Sequence, residues 1–229
     1  QNFTLVESSP GDEQELSVIT KNGDAVKSAD FNYRTDFTIS VGNTGMQAEV
    51  PVVFVGYGLQ DTDKGYDDFK GLDLQGKIVV KLRGYPGHKN PGSKTNEKFK
   101  PSDQTANNPG NPPQRGSRSG GSQTWASDMG VLAVIEYNPN ANPASQWADN
   151  TVFFPAETNG PARGIRKSLR RTDSEPRSGG PLFFQVSKQV VDELMSGLDF
   201  SFDALEEKID KTGKPASMVL PGKYLSFKT

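Results

Sequence analysis

The sequence predicts an α/β protein in which buried strands are connected by a helix and interrupted by long polar segments. Apolar residues run almost unbroken through 49–59, 77–82 and 131–137, as is typical of strands buried on both faces. A short helix is expected at 122–129, immediately before the third strand, with Gly130 as its C-terminal stop. A strand, a crossover helix and a strand in that order form a parallel pair with a right-handed connection.

Residues 1–49 are expected to form strands that pack on or flank the main module, which we place at 50–229. Three segments there are apolar or alternating enough to be strands: Phe3–Val6, Leu16–Ile19 and Phe37–Val41. Asn22-Gly23 is typical of a tight turn between two extended segments. Pro51 should lie at the beginning of its strand, because proline has no N–H to donate to a neighbouring strand.

Two amphipathic helices are expected near the C-terminus. Ser187 and Ser201 precede them as N-caps, and Gly197 and Gly213 follow their last turns. Apolar side chains recur at helical spacing in both, with Val190, Val191, Leu194 and Met195 in the first and Phe202, Leu205 and Ile209 in the second. Two strands, at 218–220 and 224–227, follow the helices.

Two long polar segments interrupt this pattern. Residues 85–124 contain six Pro and six Gly but only three apolar or aromatic residues, so we expect a surface insertion without a core of its own. Residues 155–180 form the second polar segment, in which Ile165–Arg171 is expected to make one or two basic helical turns. Each segment carries six Lys or Arg, against two and three acidic residues, on a chain of net charge −2. The two basic loops are either solvated surface or oriented toward a negative partner.

Composition excludes several classes of function. The absence of Cys excludes disulfides, thiolate nucleophiles and Cys-based zinc sites. A net charge of −2 provides no overall field that would attract nucleic acid, and no apolar run is long enough to span a bilayer. The chain begins with Gln1 and lacks a charged-then-apolar leader, which fits an exported protein whose leader was removed or an excised domain. We therefore expect a periplasmic, cell-surface or secreted location.

Four segments, in their order along the chain, resemble the protease-associated domain. They are the strand Val53–Gly58, the turn Tyr66–Phe69, the strand Gly76–Gly84, and the helix-to-strand element from Ala126 through Gly130 to Ile135. The variant they resemble most occurs in zinc aminopeptidases of the aminopeptidase Y and glutamate carboxypeptidase type. The resemblance covers roughly 50–220 and implies a swivelling β/β/α fold, here with long surface insertions.

The resemblance also implies that the chemistry of these enzymes lies in a different domain. Their two zinc ions need two His, a bridging Asp in a His-x-Asp motif and a Glu-Glu pair. The single His of this chain, His88, is followed by Lys89 and Asn90. Glu206-Glu207 is expected on a solvated helix face, away from the apolar stripe. We therefore expect a non-catalytic chain without a cofactor, with zinc only in a separate peptidase domain.

The sequence gives only weak support for other kinds of catalytic or metal site. A Ser–His–acid triad would need His88, which we expect to be solvated in a polar loop. Asp67-Asp68 could serve acid–base chemistry, but a structural turn is favoured. Asp61, Asp63 and Asp67 have the spacing of a loose calcium loop, although the EF-hand pattern fails at its twelfth position. An independent hydrolase that uses carboxylates is a further hypothesis.

The resemblance implies a lid or wall beside a peptidase active site. The expected partners are the peptidase domain of the same polypeptide and a peptide substrate, with no nucleic acid and no membrane span. Binding residues tend to lie on loops held by a rigid scaffold, which favours the two basic segments. The candidates are Tyr85, His88, Phe99 and Arg115 in the first segment and Arg166 and Arg170 in the second. The alternative is a free-standing module that binds peptides or another protein.

Overall fold

The structure, a computed structural model, describes residues 5–8, 14–33, 35–39, 46–101, 124–137, 168–171 and 180–229. The strands within these ranges are β1 (Leu5–Ser8), β2 (Glu15–Asn22), β3 (Ala25–Phe31), β4 (Phe37–Ile39), β5 (Gln47–Phe54), β6 (Gln60–Asp61), β7 (Tyr66–Asp67), β8 (Ile78–Leu82), β9 (Ala133–Tyr137), β10 (Ser168–Arg171), β11 (Leu182–Val186) and β12 (Met218–Lys228). The helices are α1 (Lys94–Phe99), α2 (Thr124–Asp128), α3 (Lys188–Met195) and α4 (Phe202–Thr212). None of these helices is long and apolar enough to cross a bilayer.

Eight strands form one mixed sheet in the order β3-β2-β12-β5-β8-β9-β11-β4. The central neighbours β5, β8, β9 and β11 run parallel, and the strands toward both edges run antiparallel. The predicted α/β class and the parallel pair β8–α2–β9 are confirmed. Two-stranded ribbons, β1 with β10 and β6 with β7, lie outside this sheet. The swivelling β/β/α arrangement itself stays an expectation.

The core lies on both faces of the sheet, because alternate residues of a strand point to opposite sides. On one face Phe54, Val80 and Ile135 join the apolar side chains of α3 and α4. On the other face Val53, Val79 and Val134 pack with Ala126 of α2. Every residue of β8 is buried, which explains why its residues are apolar apart from Lys81. Its one charged side chain, Lys81, pairs with Glu136 of the adjacent strand at 2.7 Å.

The position of Pro51 differs from the prediction. It lies inside β5, opposite Tyr224, and not at the beginning of the strand. The register between β5 and β12 shifts between Val219 and Tyr224, and the pairing of β5 with β8 starts only at Val52. A proline is tolerated there because a bulge interrupts the ladder where its missing N–H would be needed.

The predicted helix ends are confirmed for α4 and only partly for α3. The Ser201 hydroxyl accepts a hydrogen bond from the amide of Ala204 at 3.1 Å, and Gly213 adopts the left-handed conformation at φ 61°. Ser187 occupies the N-cap position of α3, but its buried hydroxyl makes no hydrogen bond within the described residues. Instead its backbone N–H donates to the carbonyl of Asp36, which ties α3 to the segment before β4.

The first polar segment is more ordered than the sequence suggests. Residues 85–101 fold onto the core and include α1, whose Phe99 is buried with its ring 4.9 Å from that of Tyr66. These residues pack on the core of neighbouring elements and do not form a separate one, and 102–123 lie outside the described residues. One aromatic side chain and the Ser93 N-cap are enough to dock a six-residue helix on a surface that already exists.

The second segment also differs from the prediction where it is described. Ser168–Arg171 forms strand β10, which pairs antiparallel with β1, and it is not a basic helical turn. Pairing with a distant strand overrides the weak local preference for a helix. The remainder of 155–180, apart from Gly180, lies outside the described residues.

Asp68 ties the end of β5 to the turn around β7 and to the segment before β12. Its side chain is fully buried. The carboxylate accepts hydrogen bonds from the backbone amides of Tyr57 and Leu59 and from the hydroxyls of Tyr66 and Ser217, at 3.0–3.2 Å. A Cβ on Gly56, at φ 50°, would stand 2.4 Å from this carboxylate, so the close approach requires glycine. Burial raises the pKa of Asp68 to about 6, against the hydrogen bonds, which lower it.

We predict that Asp68→Asn lowers the free energy of unfolding by about 2 kcal/mol at pH 7, because buried donors lose a charged acceptor. Because the pKa of Asp68 is higher in the folded state than in the unfolded state, where it is 3.8, its carboxyl stabilises the fold fully below pH 3.8. This contribution to the free energy of unfolding is lost as the pH rises through the folded pKa of about 6. The difference in the free energy of unfolding between wild type and D68N, measured by urea unfolding, should therefore narrow by about 2 kcal/mol from pH 4.5 to pH 7. Asp73→Asn is the control: Lys77 lowers the pKa of exposed Asp73, so its contribution is lost only at more acid pH and its effect should stay nearly constant from pH 4.5 to pH 7. A D68N gap that widens with pH would contradict this account.

Candidate functional site

A polar pocket of about 640 Å³ lies between the segment 89–95 and helix α4. Three lysines and four carboxylates line it, so it presents both signs of charge. The lining residues are Lys89, Asn90, Ser93, Lys94, Thr95, Asp203, Glu206, Glu207, Asp210 and Lys211. The volume falls within the range of pockets that bind small molecules.

The four carboxylates lie along one face of α4, since Asp203, Glu206, Glu207 and Asp210 are spaced three and four residues apart. Glu207 is exposed and pairs with Lys211, as expected of a solvated helix face. Glu206 contradicts that expectation, because its side chain is only 1% exposed. It lies one turn after the buried Phe202, at the margin of the apolar stripe, and the loop that follows β8 covers it.

Beneath the pocket a buried hydroxyl joins two of these carboxylates. The Tyr57 hydroxyl lies 2.9 Å from Asp210 Oδ1 and 3.3 Å from Glu206 Oε1. It carries one proton, which the shorter distance assigns to Asp210. Asp210 Oδ1 also accepts the backbone N–H of Gly87 at 2.7 Å. Burial and the two nearby carboxylates raise the pKa of Tyr57, so its hydroxyl stays protonated.

Glu206 is compensated by a lysine from the covering loop. Lys89 Nζ pairs with Glu206 Oε2. Burial raises the pKa of Glu206, and the ion pair with Lys89 opposes this shift. A buried carboxylate without such a partner would be strongly unfavourable, so Lys89 and Glu206 belong together in the fold.

His88 completes the cluster and is not the solvated loop histidine that we expected. Its ring packs edge-on against Tyr57 at 5.8 Å, and its side chain is 22% exposed. Nδ1 lies 3.0 Å from the carbonyl oxygen of Tyr85. A carbonyl can only accept, so Nδ1 carries a proton, and in the neutral ring the lone pair is on Nε2. Nε2 lies 3.9 Å from Glu206 Oε1.

Helix α1 braces the loop that carries His88. The Asn96 side-chain amide donates to the carbonyl of Gly87 at 2.9 Å and to the Tyr85 hydroxyl at 3.3 Å. Gly87 has φ 82°, and a Cβ there would lie 2.4 Å from the backbone nitrogen of Asn96. The loop can approach α1 this closely only with glycine at position 87.

The structure brings two of the six candidate binding residues, Tyr85 and His88, to this cluster. Phe99 lies in the core, where it anchors α1 and does not face the pocket. Arg170 lies in β10, in register with Val6. Arg115 and Arg166 lie outside the described residues.

The carboxylates of the loose calcium pattern stabilise their own turn. Asp61 pairs with Lys64 and accepts its backbone N–H, and Asp67 accepts the amide of Phe69 and the side chain of Gln60. Among the described residues, ligand atoms of three His, Asp or Glu side chains converge elsewhere, and not at Asp61, Asp63 and Asp67. His88, Glu206 and Asp210 have ligand atoms within 4.8 Å of one another.

Sequence reasoning missed Tyr57, Lys89, Glu206 and Asp210 as members of one cluster. The four-residue spacing of Glu206 and Asp210 does place both on one face of a helix, which was a usable signal. No local pattern connects that face with Tyr57, which lies 149 residues before Glu206.

Comparison with known proteins adds little to this site. No family model and no curated protein matches the chain. Among solved structures it matches an aminopeptidase from Aneurinibacillus sp. strain AM-1 with 16% identity and a TM-score of 0.37. The match covers 98% of this chain and 32% of the aminopeptidase, so the chain spans about a third of its length. A TM-score below 0.5 does not establish a shared fold, and the protease-associated resemblance stays a prediction.

We predict that Tyr57→Phe lowers the free energy of unfolding by about 1–3 kcal/mol, because a charged acceptor loses its hydroxyl donor. Urea unfolding at pH 7 measures the change. Tyr224→Phe is the matched control, since this half-buried ring lies on β12 beneath the Lys21 ammonium. Its effect should stay within about 0.5 kcal/mol. Equal effects of the two variants would mean that the Tyr57 hydroxyl does not join the helix to the sheet.

Proposed function

We propose that this chain is a non-catalytic module of a larger exported zinc peptidase, of the protease-associated kind, which binds peptide beside the active site. The observation that carries the proposal is the pocket between 89–95 and α4. It presents both signs of charge and is held by hydrogen bonds to the end of β5 and to α1. A site fixed before its ligand arrives loses less conformational entropy on binding.

The lining chemistry suits a short charged peptide segment. Lys94 and Lys211 can pair with carboxylates of a peptide, while Asp203 and Glu207 can accept from its ammonium or guanidinium groups. Asn90 adds an amide that can hydrogen-bond to the peptide backbone. These groups lie at the rim and are exposed, so each contributes modestly and the expected affinity is weak.

In this proposal the paired zinc ions of catalysis belong to a peptidase domain of the same polypeptide. The module forms a wall or lid that limits access by size and holds the far end of the substrate. The order of the four sequence segments from Val53 to Ile135 supports this role. A free-standing binding module would use the same pocket, and it would bind peptide equally well without a peptidase partner.

We predict that short acidic peptides bind the pocket with dissociation constants on the order of 10⁻⁴ M, as measured by amide chemical shifts. Lys94→Glu should weaken this binding at least about fivefold, because it reverses a charge at the rim. Lys188→Glu is the matched control, since Lys188 is equally exposed but lies on α3 and pairs with Asp192. Shifts that map elsewhere, or equal losses in the two variants, would refute the assignment of the pocket.

Catalysis is tested separately on the same purified chain. With added Zn²⁺ we expect no release of amino acids from peptides above the uncatalysed rate. Turnover that is present in the wild type and lost in His88→Ala would overturn the non-catalytic role.

A further inference from the structure

Three groups that can bind a metal ion converge at the wall of the pocket: a ring nitrogen of His88 and a carboxylate oxygen of each of Glu206 and Asp210, all within 4.8 Å of one another. The Tyr57 hydroxyl lies within 3.4 Å of all three residues, but it carries one proton, which the shortest distance assigns to Asp210. An imidazole lone pair and two carboxylate oxygens repel one another unless a positive charge lies between them. Lys89 supplies positive charge at Glu206 Oε2, and a proton on Nε2 or a metal ion would supply the remainder.

The second nitrogen of His88 is already committed. Nδ1–H donates to the Tyr85 carbonyl, which fixes the tautomer and the orientation of the ring. Metal-binding histidines are held in this way, with one ring nitrogen on a backbone carbonyl or carboxylate and the other on the ion. The Tyr57 hydroxyl also lies 3.4 Å from Nδ1, so the Tyr85 carbonyl and Tyr57 together orient the ring.

The carboxylates are oriented in the same manner. Asp210 uses Oδ1 for Tyr57 and Gly87, which leaves Oδ2 for a further contact. Glu206 uses Oε2 for Lys89, which leaves Oε1 toward His88 and the Tyr57 hydroxyl. Each carboxylate therefore has one oxygen held at close distance by the fold and a second oxygen that could bind an ion.

We propose that this cluster binds one divalent first-row transition-metal ion through His88, Glu206 and Asp210, with water from the pocket completing the coordination. One imidazole nitrogen with two carboxylate oxygens suits Zn²⁺ and its neighbours, whereas Ca²⁺ prefers oxygen ligands alone. Ligand atoms around tetrahedral zinc lie about 3.4 Å apart, so the side chains close by about 1 Å on binding. The ion joins the loop after β8 to α4 and departs from the expected absence of a cofactor.

Lys89 competes with the ion for Glu206. Its ammonium holds the carboxylate in the metal-free protein and repels an arriving cation. Lys89→Gln should therefore tighten Zn²⁺ binding about fivefold, while a purely structural role for Lys89 would leave the affinity unchanged or weaken it. Either of those two results would contradict the proposal.

The single histidine makes the experiment unambiguous, because every imidazole signal of the chain belongs to His88. The full chain, stripped of metal with a chelator, is titrated with Zn²⁺ at about pH 7.5 and followed by ¹⁵N NMR of the ring. We expect Nε2 to shift and saturate at one equivalent, with Nδ1 keeping its proton. An imidazole that does not respond to Zn²⁺ means that a proton alone occupies the cluster, and it overturns the proposal.

Affinities from calorimetry locate the other ligands. His88→Ala and Glu206→Gln should each weaken Zn²⁺ binding at least tenfold, with circular dichroism showing that both remain folded. Glu97→Gln is the matched control, because it makes the same change at an exposed residue of α1 that does not line the pocket, and it should leave the affinity unchanged. Equal affinity in wild type and H88A would place the ion elsewhere. Competition by millimolar Ca²⁺ would contradict the nitrogen-containing ligand set.

Discussion

The hydrogen bonds of Asp210 hold the candidate site in place. Through one oxygen this carboxylate accepts the Tyr57 hydroxyl, from the end of β5, and the Gly87 amide, from the loop after β8. Helix α4 carries Asp210, so three segments far apart in sequence meet at a single atom. The loop, the pocket and the orientation of His88 depend on this junction together with the Lys89–Glu206 ion pair and the Asn96 amide.

Tyr57 connects this junction to the core through a second buried carboxylate. Its backbone N–H donates to Asp68 and its hydroxyl donates to Asp210, so one residue links two acidic groups on opposite sides of it. Burial raises the pKa of Asp68 and Glu206, yet both groups are surrounded by donors. Buried polar networks of this kind are favourable only when every member is satisfied. The strands hold this hydrogen-bond network in place, and the network in turn fixes the pocket.

The sequence predicts the central strands and α4 well, because periodicity, Ser201 and Gly213 all indicate the same boundaries. It predicts less where a distant partner decides the outcome. Phe99 in a polar segment folds α1 onto Tyr66, and β10 forms because β1 pairs with it. Glu206 looks solvated from its neighbours in sequence, and only the loop that covers it makes it buried. The site is assembled from such long-range contacts, so local patterns could supply His88 and Tyr85 but not the cluster.

Hydrogen exchange of the Gly87 amide tests the junction most directly, because this N–H is bonded to Asp210 in an otherwise polar loop. The account predicts protection comparable to that of the amides of β8, since breaking this bond requires the loop to leave α4. Exchange at the rate of an exposed loop amide would show that the loop is not fixed, and the pocket and the ordered histidine would then lack their common support.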